Sequence, residues 1–313
     1  MKYSSLLLMI YSLFLGLKCS KSNLSVPPIN VDTLITNLKP IWAMATTNDK
    51  TWNDGFDIAE PVIAGQNILV STVFNKFQVF KMLNAQNGNE IWQWQDFFRK
   101  LNYDSANYMI RFPYLKDHKM IWSSFKEIYY IDLTNGNTVW KNLTTNKFGF
   151  QCKGIGNSFF IELLNAGDGK ALQTGMQLFR GNLNSPNLQY LLTPKYDTTN
   201  STPNSEQNGS ILGNAPYINS SGDTMLVVSY SDQPVTKDYL FRDAFGVYNL
   251  SKNKWQIERV LIGLPTVTGI DYTPIVKNGK VFHCKTGLVT CHDVNSGELL
   301  WSYNQIGHAN FLF

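Results

Sequence analysis

NAQNGNEIW at 84–92, DLTNGNTVW at 132–140 and DVNSGELLW at 293–301 are three copies of one pattern: Asn or Asp, three variable residues, Gly, three more, then Trp. Gly88, Gly136 and Gly297 follow Asn or Ser, and Gly takes the positive φ that a tight turn demands. The opening residues, Asn84, Asp132 and Asp293, can accept hydrogen bonds from turn amides that would otherwise stay unpaired. Trp92, Trp140 and Trp301 stand at a fixed offset, where an indole can fill the gap between neighbouring units and find an acceptor for its N–H. An alternating apolar stretch precedes each copy, at 77–80, 128–131 and 288–291.

Upstream of each copy lies a second signature, a Pro followed by a strand pattern: EPVIAGQNILVS (60–71), FPYLKDHKMIWS (112–123), APYINSSGDTMLVVS (215–229) and TPIVKNGKVFHC (273–284). Pro and Trp are 31 residues apart for Pro61–Trp92 and 27 apart for both Pro113–Trp140 and Pro274–Trp301. The fourth pair, Pro216–Trp255, is stretched to 39 by an insertion around Ser231 to Asp243, and its Trp follows a degenerate turn beginning at Asn249. Trp42, in KPIW (39–42), reads as the tail of a further copy. Between Trp140 and Trp255 there is room for two units; the first, Phe148 to about Leu183, keeps its strands (Ser158 to Ile161) and lacks the Trp.

A unit of roughly 45 residues with four short strands and tight turns is the size of a propeller blade. The expected fold is therefore all-β: a propeller of four-stranded antiparallel blades over 39–313, with no helix after the leader. About six blades are expected, the sixth assembled from Trp42 at one end and 307–313 at the other, or the chain is part of a longer propeller. The repeat resembles the tryptophan-docking repeat of pyrroloquinoline-quinone-type β-propellers. That resemblance implies the fold, and only weakly an activity, because one fold hosts many.

The first eighteen residues differ from the rest. A basic start (Lys2) precedes an apolar run from Leu6 to Leu17, too short to span a membrane comfortably and fitting a secretory signal. The sequence around Cys19, LGLKCSK (15–21), resembles the lipobox of bacterial lipoproteins, in which the Cys receives the lipid and becomes the first mature residue. Lys18 departs from the small residue usual there. The resulting organisation is a signal peptide at 1–18, a lipid-anchored tether at 19–38 with Pro27-Pro28, and the propeller beyond. The formal charge is +4, falling to +2 without the leader lysines Lys2 and Lys18, with 16% charged residues. Nothing in it matches the clustered basic surface of a nucleic-acid binder.

HCKTGLVTCH (283–292) is the most suggestive chemistry in the chain. Side chains alternate faces along a strand, so a hairpin that pairs Cys284 with Val289 puts Cys284 and Cys291 on one face and both His on the other. Four ligands split between two faces cannot make one tetrahedral zinc site. The stretch reads as a blade hairpin with two thiols; a disulfide, the alternative in an exported protein, needs a bulge to bring the diagonal pair closer. No zincin, serine-hydrolase or Walker motif is present. AGDGK (166–170) reads as a hairpin turn, and His118 falls in a turn.

The innermost strands, just after each Pro (62–63, 114–115, 217–218 and 275–276), carry almost no titratable residue; only Glu60 and Asp271 fall near them. Catalysis needs such groups to converge in one pocket. The expectation is a non-enzymatic, cofactor-free binding or scaffolding module of the bacterial cell envelope, working through the loops at 196–210 and 231–243. It resembles in architecture the propeller subunit of the outer-membrane β-barrel assembly machinery. The expected partner is an envelope protein or a glycan, besides the membrane reached through the lipid anchor. A quinone-dependent dehydrogenase is one alternative, set back by the lack of adjacent cysteines; a surface glycan-binding module is another, set back because the aromatic residues are accounted for as blade core.

Overall fold

The computed structural model describes residues 61–74, 77–94, 114–124, 127–143, 147–165, 176–192, 194, 211–231, 243–262, 273–285 and 288–304. These form five four-stranded antiparallel sheets, each in the meander order of a blade. Blade A holds β1 (Val62–Ala64), β2 (Asn67–Phe74), β3 (Phe77–Asn84) and β4 (Glu90–Gln93). Blade B holds β5 (Tyr114–Lys116), β6 (Lys119–Ser124), β7 (Glu127–Asp132) and β8 (Thr138–Leu143). Blade C holds β9 (Lys147–Ile155), β10 (Ser158–Asn165), β11 (Met176–Asn182) and β12 (Ser185–Leu192). Blade D holds β13 (Ile211–Ile218), β14 (Thr224–Ser231), β15 (Asp243–Asn249) and β16 (Lys254–Leu261). Blade E holds β17 (Ile275–Lys277), β18 (Lys280–Lys285), β19 (Leu288–Asp293) and β20 (Leu299–Asn304). The propeller expected from the repeats is the fold found. The sixth unit expected from Trp42 and 307–313 lies outside the described residues, as do Cys19, the tether, Glu60, Asp271, 166–170 and the loop at 196–210.

The first strands of blades B to E, β5, β9, β13 and β17, lie side by side, which makes them the inner wall, while β8 and β12 meet on the outside. A blade this small cannot bury both faces by itself, so the core sits in the seams between blades. One apolar cluster joins Phe80, Trp94, Trp122 and Tyr129 of blades A and B to Cys152, Phe159 and Ile161 of blade C. A second fills the C–D seam (Phe160, Leu178, Leu226, Val228), and a third the D–E seam (Val227, Phe245, Val281, Val294).

The three good copies of the repeat fold alike. The side chains of Asn84, Asp132 and Asp293 each accept backbone N–H groups two or three residues on, at 2.8–3.2 Å. Gly88, Gly136 and Gly297, at φ 73°, 75° and 77°, donate back to the carbonyl of that same opening residue. Each Trp then pairs across the hairpin with the residue two before the turn: Trp92 with Met82, Trp140 with Tyr130 and Trp301 with Cys291. A bulge follows each pair at the same place.

Candidate functional site

The repeat tryptophans are docking residues. Trp92 Nε1 donates to Leu133 O of blade B at 3.0 Å, and Trp140 Nε1 donates to Leu183 O of blade C at 2.8 Å. Both acceptors immediately follow the turn-opening Asp132 or Asn182, so each indole reads the next blade's turn. The six-ring of Trp92 lies over Gly136: a Cβ there would stand 2.7 Å from Trp92 Cε3. Tyr114, one residue after Pro113, works the B–C seam nearer the axis. Its hydroxyl donates to Gly156 O of blade C at 2.9 Å, and its ring covers Gly154.

Trp255 does not dock this way. A bulge between Val247 and Tyr248 leaves Trp255 opposite Tyr248 and Ile257 opposite Val247, so the two side chains lie on different faces. Trp255 turns back towards the C–D seam, edge-on to Tyr248 at 5.1 Å. Its place against blade E is taken by Val260, against which a Cβ on Gly297 would stand 2.5 Å away, and by Gln256, whose amide donates to Asn295 O at 3.3 Å. In blade C the position opposite Arg180, two before the turn, is Gln189. Trp301 is 37% exposed and packs on Phe282, 6.2 Å between ring centres; no later blade stands among the described residues to receive it.

The HCKTGLVTCH hairpin has the register that sequence alternation expects: Cys284 pairs with Val289, Phe282 with Cys291 and Val281 with His292. The cysteines share one face as buried thiols not joined in a disulfide, and the histidines share the other. That other face looks into the D–E seam, where Phe245 packs against both imidazoles at 4.8 and 5.1 Å. His283 Nε2 bonds Ser229 Oγ at 3.0 Å, and His292 Nδ1 bonds Gly297 O at 3.2 Å. Burial, reinforced by the His292 charge, pushes the His283 pKa down to about 3, and burial also lowers that of His292. Both rings are therefore neutral at physiological pH. Among the described residues no group of three or more His, Cys, Asp or Glu side chains is placed to hold a metal.

The C–D seam holds a feature that sequence reasoning missed. Glu162 of β10 is 1% exposed and Asn214 of β13 is 0% exposed; Asn214 Nδ2 donates to Glu162 Oε1 at 2.8 Å. Desolvation raises the Glu162 pKa to about 7, against smaller lowering effects of the Asn214 hydrogen bond and the Lys153 ammonium. Cys152, on the inner strand β9, is fully buried and its thiol is pushed far up by desolvation, which makes it a poor nucleophile. The remaining shifted carboxylates serve turns. Asp132 and Asp293 are held low by hydrogen bonds from Thr134 and Ser296, and Asp223 by its bonds to Lys252 and Asn249.

No protein-family model matches the chain, and no curated protein matches it. Among solved structures, the β-propeller domain of Cps50 (Swd1) from Myceliophteria thermophila is similar at TM-score 0.51 and 9% identity, covering 80% of this chain and 76% of that one. BamB from Moraxella catarrhalis is similar at TM-score 0.47 and 13% identity, over 77% of this chain and 61% of that one. The match thus spans less than two thirds of the BamB chain. The computationally designed protein Ika8 is similar at TM-score 0.45 and 10% identity, over 80% of this chain and 76% of that one. At such identities the likeness concerns the fold alone.

Proposed function

We propose that this chain is an exported propeller, anchored in a cell-envelope membrane by lipid on Cys19, that binds a partner and performs no chemistry of its own. The observation that supports the binding reading is the use made of seven of the described titratable groups. Glu162, Cys152, His283 and His292 are buried in blades or seams, and Asp132, Asp223 and Asp293 are tied into turns. None of these is offered together with another at an open pocket, as acid–base or nucleophilic catalysis requires. Packed blades joined by surface loops make a scaffold for recognition, and loops are where such work concentrates. The export reading rests on the leader and on the Cys19 context. Two anchoring groups on that Cys, diacylglycerol and an N-acyl chain, would give firm attachment.

Both halves are tested in cells. Cys19→Ala is expected to move the protein from the membrane fraction to the soluble exported fraction; an unchanged membrane-bound amount overturns the anchor. Crosslinking the wild-type protein in its native envelope is expected to yield a discrete adduct with an envelope protein or glycan. That adduct should be weakened by deletions within 196–210. A protein that crosslinks only to itself overturns the binding reading.

A further inference from the structure

The Glu162–Asn214 contact is a single hydrogen bond between two planar groups of a shape that can share two. One edge is made, Asn214 Nδ2 to Glu162 Oε1 at 2.8 Å. The remaining oxygen of each side chain, Glu162 Oε2 and Asn214 Oδ1, is buried without a hydrogen-bond partner. Two oxygens that only accept cannot serve each other. Left so in a dry seam, each orphan costs on the order of 1–3 kcal/mol.

We propose that Glu162 carries a proton on Oε2 at neutral pH, and that this proton, donated to Asn214 Oδ1, closes a cyclic acid–amide pair that latches blade C to blade D. The single added proton satisfies both orphans at once and removes the buried charge. Loss of the proton to solvent leaves a carboxylate facing an amide oxygen, and the latch opens.

The surroundings favour the neutral form. The apolar cluster packed here consists of Phe160, Leu178, Leu192, Ile211, Leu226, Val228 and Tyr248. Tyr248 is engaged elsewhere, donating to Asn253 Oδ1 at 2.7 Å. From β9, Lys153 is the cation that opposes the effect, and the Cys152 thiol interacts weakly with the carboxyl. On β11, Arg180 shares the face of Glu162 but is bonded to Ser158 Oγ at 2.9 Å. On β13 and β14 the face of Asn214 also carries Ile211, Leu226, Val228 and Tyr230, whose hydroxyl donates to Glu258 O at 3.1 Å. Desolvation prevails, and the Glu162 pKa of about 7 agrees with the latch.

Glu162→Gln is the decisive variant, because a Gln–Asn pair makes the same two-edged ring without a titratable proton. Folded Glu162 binds its proton more tightly than the unfolded chain. The Glu162 contribution to stability should therefore fall as pH rises from about 5 to about 8, the wild-type unfolding equilibrium constant growing roughly a hundredfold relative to that of Glu162→Gln. The protection factors of the β10 and β13 amides, which are free of the base-catalysed rise in intrinsic exchange, should fall over the same range in wild type by more than in the variant. Equal pH dependence in the two proteins overturns the proposal. If the variant does not fold, carbon-13 NMR of the wild-type Glu162 carboxyl decides: titration near neutrality supports the latch, and titration in the ordinary carboxylate range overturns it.

Discussion

The docking of Trp92 on Gly136 can be separated from the turn geometry of that glycine by comparing two substitutions. Gly65 and Gly136 both have positive φ, +64° and +75°, so Ala at either site carries the left-handed penalty of about 1–2 kcal/mol. They differ in surroundings: a Cβ at Gly65 meets nothing within 4 Å, whereas one at Gly136 stands 2.7 and 2.9 Å from Trp92 ring carbons. Relief at Gly136 requires the indole to shift. The shift weakens the 3.0 Å bond from Trp92 Nε1 to Leu133 O, worth about 1 kcal/mol, and adds an overpacking cost of about 1–3 kcal/mol. Gly136→Ala should therefore cost roughly 3 kcal/mol or more, and Gly65→Ala only the backbone share. Urea unfolding followed by circular dichroism gives both numbers without relying on the tryptophan signal. In a Trp92→Ala background the ring is gone, and the Gly136→Ala cost should fall to that of Gly65→Ala. Equal costs in the wild-type background, or an undiminished Gly136 penalty without the indole, would refute docking as the reason for this glycine.

The D–E seam predicts acid sensitivity. His283 has a folded pKa of about 3, below its unfolded value near 6.5, so the unfolded chain gains protons first as pH falls through 6.5. Stability is full above that value and is lost as pH drops towards 3, by about 2 kcal/mol at pH 5; His283→Phe should flatten this slope in urea midpoints measured between pH 5 and 8, and an unaltered slope counts against the assignment. Purified protein given calcium and pyrroloquinoline quinone should not oxidise alcohols or aldoses with an artificial electron acceptor. Turnover that disappears in Glu60→Ala or Asp271→Ala would replace the binding reading with the dehydrogenase one.

Much of the fold was legible because the repeat encodes turns and docking in the same nine residues. Positive-φ glycines, Asx acceptors and indole spacing are local signals, and the structure places Trp92, Trp140 and Trp301 in one register. The face assignment of HCKTGLVTCH also followed from period-two alternation alone. Trp255 misled because composition kept the Trp while spacing changed. It stands six residues after Asn249, where the intact copies have eight, and that missing pair signals the lost docking geometry. Glu162 left a signal too, a lone acid in the apolar run FFIELL (159–164) on a strand with apolar residues on both faces. Its partner, Asn214, lies 52 residues away, just before the Pro216 signature, and no local rule connects the two.

The seams differ in kind along the chain, and the difference follows the decay of the repeat. Blades A and B are closed by rings: Trp94 lies 5.4 Å from Trp122 and 4.8 Å from Tyr129, each edge to face, and Trp94 Nε1 donates to Thr138 Oγ1 at 3.0 Å. Blades B and C still use Trp140, stacked on Phe159, and Tyr114. From blade C onward the docking Trp is missing or turned away. There Glu162–Asn214 and His283–Ser229 tie the seams together. Aromatic burial does not depend on protonation, whereas the Glu162–Asn214 ring needs the carboxyl proton and the buried His283 imidazole is favoured only while neutral. The acid latch fails as pH rises and the imidazole pair as pH falls, so both limits of the stability window lie in blades C to E. A repeat that loses its indole thus keeps its seams shut by chemistry that titrates, and the A–B seam, built on indoles, is the part expected to hold when either polar seam opens.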